Sequence, residues 1–376
     1  MSLDMATNKT GLLFKGSKAE DISVVLATQY EDGLQPMILK DRKLEKYQRI
    51  GKHSVTKELG DSWIFNRLIV LEKKHAYVPL CNMGFVPFCI SSSHVSMSKK
   101  SFRTNYCMYY DNDLCVAAIS EGFGSFANEL SYISCREAVR YLIGLNLEPK
   151  MLDNVIDHCL KEVESRIEKV EQEYPEDLDT LLTGASLAVL VIYKGQIASG
   201  IIGDSMLLKL NQSLDGGKVT FQPINSGLQM NSEEDREKIY SSHGEMRKNV
   251  IGKECIYIKG REYPESPMIA SIGCRLGKEI GMSSDPYINR EEHMSLFDRQ
   301  GMLILCNQEF YTRIAKDEEN MKLLSCITLN DANSIREYIY GKLKIQYLQK
   351  GNPIDDAIGL IFIMDKETTA NAIQRP

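Results

Sequence analysis

The nine residues 185–193 (ASLAVLVIY) are apolar on both faces. A strand at a surface alternates apolar with polar side chains. An unbroken apolar run of strand length, rich in Val, Leu and Ile, therefore belongs inside a sheet covered on both sides. Lys194-Gly195 follows, and residues 196–202 (QIASGII) resume the apolar pattern. Two connecting residues, one a glycine free to take φ > 0, suit a tight hairpin. The chain is thus expected to fold round an antiparallel hairpin with both faces buried, which requires a covering layer on each side.

The remaining patterns supply those layers. Residues 126–145 and 151–173 read as helices. In the second, Leu152, Val155, Ile156, Cys159, Val163, Ile167 and Val170 recur at spacings of three and four, and the opposite face is mostly Glu, Lys and Arg. Such an amphipathic helix lies on its own sheet. Strands are expected at 63–71, 114–119, 206–210, 302–306 and 358–364, with a short one at 22–28. Helices are expected at 233–242 and 331–349. The latter has Ile335, Ile339 and Leu343 on one face and is closed by Gly351 and Pro353. The charge-dense stretch 40–49 reads as a solvated helix or loop.

Helices fall in pairs between hairpins instead of following every strand, which excludes a doubly wound parallel sheet. The expected fold class is α+β: a four-layer α-β-β-α sandwich of two antiparallel sheets flanked by antiparallel helix pairs. We assign residues 61–365 to this domain, 1–60 to a partly mobile N-terminal extension, and 366–376 to a C-terminal tail.

Composition narrows the function. Of 376 residues, 43% are hydrophobic and 26% charged, enough apolar material for a sizeable core. The 45 Lys and Arg against 51 Asp and Glu leave a net charge of −6. That balance argues against nucleic-acid or membrane partners, whose phosphates call for a basic face. A membrane-spanning helix is not expected, because no run of about 18 apolar residues occurs. Nor does the N-terminus carry the basic start and apolar core of a secretory leader. None of the ten cysteines is spaced C-x-x-C, and the six histidines do not cluster with them. They read as buried reduced thiols and not as a zinc site, pointing to a cytoplasmic or nuclear location.

From residue 103 a series of short motifs follows in order. RTNYCM (103–108) precedes the apolar run LCVAAISEGFGS (114–125). GAS (184–186) opens the central hairpin, and IGDS (202–205) ends it. KIYSSHGEM (238–246), GCRLGK (273–278), LILCNQEFY (303–311) and DAIG (356–359) come after. Each is weak alone. Their order and spacing resemble the metal-dependent serine/threonine protein phosphatases of type 2C, over roughly residues 100–365.

What the resemblance implies is a two-metal hydrolysis, in which paired Mg²⁺ or Mn²⁺ ions on carboxylates hold the phosphate and activate a bridging water. The ligand positions are altered here. Cys107 and Met108 stand for the family's acidic pair when Arg103 is the anchor, and a shift of one gives Tyr106 and Cys107. Glu121, followed by Gly122, replaces the bridging Asp. Gln308 replaces the Asp of the Ser-Asp-Gly motif, Lys278 brings a positive charge where another Asp stands, and Asp356 is kept. Gly203, Asp204 and Ser205 match a family motif whose role is structural. Arg103 either still holds a phosphate or is simply solvated or salt-bridged.

The expected outcome is a pseudophosphatase with no catalytic residues and no cofactor, binding at most one weak ion at Glu121 and Asp356. In this it is similar to the phosphatase-like adaptor of the TGF-β-activated kinase. The function implied is an adaptor or regulator in a phosphorylation pathway, with a protein partner such as a kinase or signalling complex. Two alternatives stay open: a weak Mn/Mg-dependent serine/threonine phosphatase, and a regulatory domain of a larger signalling enzyme. Three surfaces are candidates for a partner. One is the segment 285–300. The second is the stretch 61–98 with Trp63, Phe65, Tyr77, Phe85, Val86 and Phe88, which also reads as the core of an added strand. The third is the helix face at 161–171.

Overall fold

The computed structural model describes residues 22–26, 85–92, 104–110, 114–145, 147–175, 178–194, 196–212, 219–224, 233–250, 252–292, 302–320 and 357–364. The expected strand at 63–71, the stretch 40–49 and the helix at 331–349 lie outside them.

The apolar hairpin sits inside a sheet, as its composition demands. With strands numbered along the chain, β6 (Leu187–Tyr193) pairs with β7 (Gln196–Ile202) from Leu187↔Ile202 to Tyr193↔Gln196. On the other side of β6 runs β4 (Leu114–Phe123), itself paired with β3 (Thr104–Tyr110). The edge beyond β7 is β14 (Tyr287–Glu292). At one end, β5 (Gly184–Ala185) continues the line of β6 and is flanked by β13 (Ile272–Gly273). All these ladders are antiparallel.

The second sheet has the order β1-β2-β16-β15-β8-β9 and is likewise antiparallel throughout. Its members are β1 (Ile22–Leu26), β2 (Phe85–Ser92), β16 (Ala357–Met364), β15 (Met302–Cys306), β8 (Met206–Gln212) and β9 (Val219–Pro223). Residues from the stretch assigned to an N-terminal extension therefore supply its edge strand, β1. Part of the aromatic-rich stretch, Phe85–Ser92, is an inner strand between β1 and β16. A smaller three-stranded sheet joins β10 (Gly244–Lys248), β11 (Glu254–Ile258) and β12 (Pro264–Ser266). Helix α3 (Glu233–Ser241) precedes it, and its buried Ile239 shares a core with Ile256, Met268 and Ile280.

Two long helices, α1 (Ala127–Ile143) and α2 (Leu152–Glu173), cover the first sheet. Cys159 Sγ lies against Ala138 O, and Arg166 reaches Glu137 while His158 meets Tyr141, so the two helices run antiparallel. Strand alternation divides the packing. Leu114, Val116, Ala118, Val189, Val191 and Ala198 join α1 and α2 in one core. Cys115, Ala117, Ile119, Ala188, Leu190 and Ile192 point the other way and are also fully buried. A sheet buried on both faces explains why residues 187–192 carry no polar position. Each fully buried Val, Leu or Ile contributes about 1.5–3 kcal/mol before chain entropy is counted. Gly200 lets α2 approach closely: a Cβ there would come 2.4 Å from Ile156. The architecture is the expected α+β sandwich.

Candidate functional site

Glu121 stands near the end of β4, half-buried, on the face that carries Cys115, Ala117 and Ile119. The next residue must be small. A Cβ on Gly122 would meet the carbonyl oxygen of Ala127 at 2.1 Å, because the first turn of α1 folds back over it. Across the ladder the partner of Glu121 is Thr104, whose buried hydroxyl lacks a hydrogen-bond partner. Cys107 pairs with Ala118 and Met108 with Ala117. Cys107 thus faces the helices, where burial pushes its thiol up to about 12, and Cys135 donates to Asn105 O beside it. The register sets Thr104, and not Cys107 or Met108, opposite Glu121.

The other wall comes from the second sheet. Strand β15 ends in Cys306, and Asn307 leaves it in an extended conformation (φ −83°, ψ 167°). Its Oδ1 accepts from the Phe310 amide at 3.1 Å, which caps the helical turn α4 (Gln308–Phe310). That cap fixes the orientation of the side-chain amide. The nitrogen then faces the opposite sheet, where Nδ2 donates to Glu121 Oε2 at 2.9 Å. Asn307 is fully buried and Gln308, first residue of the turn, half-buried. Phe310 packs into room left by Gly359 of β16, where a Cβ would come within 2.6 Å of its ring. The pairing Cys306↔Gly359 brings the start of β16 to this same end of the sheet. Asp356 and Arg103 lie outside the described residues.

The end of the central hairpin supports Glu121 from behind. Ser186 interrupts the line of β5 and β6, and its amide donates to Glu121 O at 2.8 Å while its Oγ accepts from the Glu121 amide at 3.1 Å. Ser205 Oγ lies 3.1 Å from Ser186 Oγ. Gly203 takes φ +95°, and a Cβ on it would strike Ser186 at 2.6 Å, so a glycine is required on both counts. Asp204 Oδ1 is buried without a hydrogen-bond partner. Burial raises its carboxyl above the usual range, and Lys253 opposes that shift.

Lys278 has a carboxylate partner of its own. Its ammonium pairs with Glu164 of α2. Burial raises the Glu164 carboxyl, with Lys278 acting against it. Among the described residues no cluster of three or more His, Cys, Asp or Glu side chains is arranged to hold a metal ion. Among the described residues, the Asn307 amide donates to the Glu121 carboxylate and Thr104 stands opposite Glu121 in the ladder. A pair of hard divalent cations needs several anionic oxygens, and of the two carboxylates expected here only Glu121 is among the described residues.

Asn307 and Ser186 were not singled out from the sequence. An Asn directly after an all-apolar strand and before a short amphipathic turn is an N-cap signal that would have marked Asn307.

No family profile matches the sequence, and no curated protein matches it. Solved structures do. The fold is similar to a serine-threonine phosphatase 2C from Toxoplasma gondii, at 12% identity and a TM-score of 0.56, covering 75% of this chain and 95% of that one. It is also similar to a C. elegans sex determining protein, at 12% identity and a TM-score of 0.57, covering 81% of this chain and 69% of that one. The chain has the fold of the type 2C serine/threonine phosphatases.

Proposed function

We propose that this chain is a pseudophosphatase: a type 2C phosphatase fold that works as an adaptor or regulator in a phosphorylation pathway and does not hydrolyse phosphate. The observation that carries the reading is the Asn307–Glu121 hydrogen bond. In a metal phosphatase the carboxylate at this place faces a cation. Here an amide N–H faces it and ties the two sheets together directly. Phosphate monoester hydrolysis without catalysis is so slow that enzymes supply up to about 10²¹-fold acceleration. Glu121, Thr104 and Asn307 offer no means to that end. The partner is a protein, such as a kinase or signalling complex, and the location cytoplasmic or nuclear.

The competing reading, a weak Mn/Mg-dependent phosphatase using Glu121 and Asp356, has one point in its favour: the phosphatase 2C among the similar structures. Turnover separates the two. The intact chain, assayed in Mn²⁺ with an aryl phosphate and with phosphoserine peptides, should match a protein-free control. Turnover that Asp356→Ala abolishes would establish the competing reading.

Segment 285–300 needs a narrower statement as a partner surface. Tyr287–Glu292 is the edge strand β14, hydrogen-bonded to β7, and Asn289 Nδ2 donates to Ile224 O beyond β9. Over Tyr287–Glu292 a partner would meet a strand edge; residues 293–300 lie outside the described residues.

A further inference from the structure

Two carboxylates on one face of α2 hold the loops beside the candidate site. Glu171 Oε1 accepts from the Thr180 amide at 2.9 Å and from Arg275 at 2.9 Å, and its Oε2 accepts from Thr180 Oγ1 at 2.7 Å. Glu164, two turns earlier, accepts from the Gly273 amide at 3.1 Å and from Lys278. The two loops are also joined to each other. Cys274 N donates to Thr183 O at 2.7 Å, Arg275 N to Thr180 O at 3.0 Å and Leu276 N to Leu181 O at 3.1 Å.

The joined loops lie over the strand end that carries Glu121. A Cβ on Gly124 would meet Leu182 O and the Thr183 Cα at 2.9 Å, and Thr183 Oγ1 accepts from the Phe126 amide. Their turn is held in a costly backbone shape: Gly273 at φ +70° is followed by Cys274 at φ +47°. A non-glycine residue in that region persists only where its surroundings enforce it. Here the enforcing groups are the bonds to α2 and to residues 180–183. Two apolar side chains of this cover are turned to solvent, Leu181 at 42% and Leu182 at 37% exposed, while Leu178 and Cys274 are buried beneath it.

We infer that residues 178–183 and 273–278 form one cover over Gly122–Gly124, latched to α2 by Glu164 and Glu171, which opens as a unit when the latch is released. Helix α2 and Glu121 are then coupled through the cover. A ligand or partner that shifts α2 changes the exposure of the Glu121 strand end. The inference does not depend on whether the site is catalytic.

Hydrogen exchange on the intact chain tests it, comparing wild type with Glu171→Gln, Thr180→Val and Glu168→Gln. Glu168 is exposed on α2 and serves as the control. Loss of one charged hydrogen bond should speed local opening by about tenfold. The expected result for Glu171→Gln is faster exchange in 178–183, 273–278 and 120–126 together, with β6, β7 and the Glu168→Gln chain unchanged. Thr180→Val removes one donor without touching charge and should give the same pattern at smaller size, which covers the case that Glu171→Gln fails to fold. Faster exchange confined to 178–183, or no change in 120–126, would overturn the inference. So would an equal effect of Glu168→Gln.

Discussion

Asn307 of one sheet donates its side-chain amide to the Glu121 carboxylate of the other at 2.9 Å, and both ends of that amide are occupied because its oxygen caps the Phe310 turn. A hydrogen bond to a charged group is worth about 1.5–3 kcal/mol net. Asn307→Ala, which leaves the half-buried carboxylate without this donor, should lower stability by about that amount. Urea denaturation followed by circular dichroism reads it. A change below about 0.5 kcal/mol would mean that the tie is not structural.

Asn307→Asp reverses the logic. Two carboxylates would then face each other at hydrogen-bond range, and like charges at such range resist ionising together. The expected outcome is a less stable chain whose melting temperature rises on adding Mn²⁺, whereas the wild-type temperature stays constant. Activity needs more, because ligands of one site act as a unit. Turnover is expected, if at all, only when Glu121→Asp, Gln308→Asp, Lys278→Asp and acidic residues at 107 and 108 are added.

How much of this was legible beforehand differs between fold and site. The hairpin of 185–193 with 196–202, the helix pair and a short strand within 22–28 could be read, because periodicity and apolar run length act locally; that this strand forms a sheet edge could not. The break at Ser186 could not, since its reason is a hydrogen bond to Glu121 65 residues away. The small sheet β10-β11-β12 was missed for a different reason: its strands are only three to five residues long, too short to leave a clear pattern. Counting from Arg103 put Cys107 and Met108 at the site. Which residue faces Glu121 is set by the register of the β3–β4 ladder, and that register chooses Thr104. One step along the chain likewise separates Gln308 from Asn307, the residue whose side chain reaches Glu121.

The buried ion network between the helices offers a contrast with surface pairs. Glu137 accepts from Arg140 and from Arg166, both at 3.1 Å, with Glu137 and Arg140 almost wholly buried. Removing one member leaves an uncompensated buried charge, at a cost of about 3–5 kcal/mol. Glu137→Ala should lose that much. Lys161→Ala, which breaks the exposed pair with Asp157, should lose no more than about 1 kcal/mol. Equal losses from parallel denaturation curves would refute the distinction.

The cysteines make a pH-linked prediction. Burial raises the thiols of Cys255 and Cys274 to about 11 and Cys107 to about 12, and it raises those of Cys135, Cys159 and Cys306 as well. Thiolate is the reactive form, so a raised value lowers its share at any pH below it. Iodoacetamide at pH 8 should leave these six unlabelled in the native chain and label them after unfolding, as read by peptide mass. Rapid native labelling of Cys107 or Cys306 would contradict the packing described.

Gly122 and Gly203 test the backbone approaches round Glu121. Alanine at Gly122 would drive a methyl group into the Ala127 carbonyl, backbone that cannot step aside. A core insertion of this kind costs about 1–3 kcal/mol or more. Gly122→Ala should therefore melt well below wild type, while Gly260→Ala, with open space round its Cβ, should show only the modest strain of its positive φ. Matching melting curves would show that α1 does not press on Gly122.

Binding of Mn²⁺ to the wild-type chain, measured by calorimetric titration, bears most directly on the claim that an amide has taken the place of a metal at Glu121. The account predicts no paired binding, and at most one ion held weakly through Glu121 and Asp356. Two ions bound per chain, with affinity lost in both Glu121→Ala and Asp356→Ala, would contradict it.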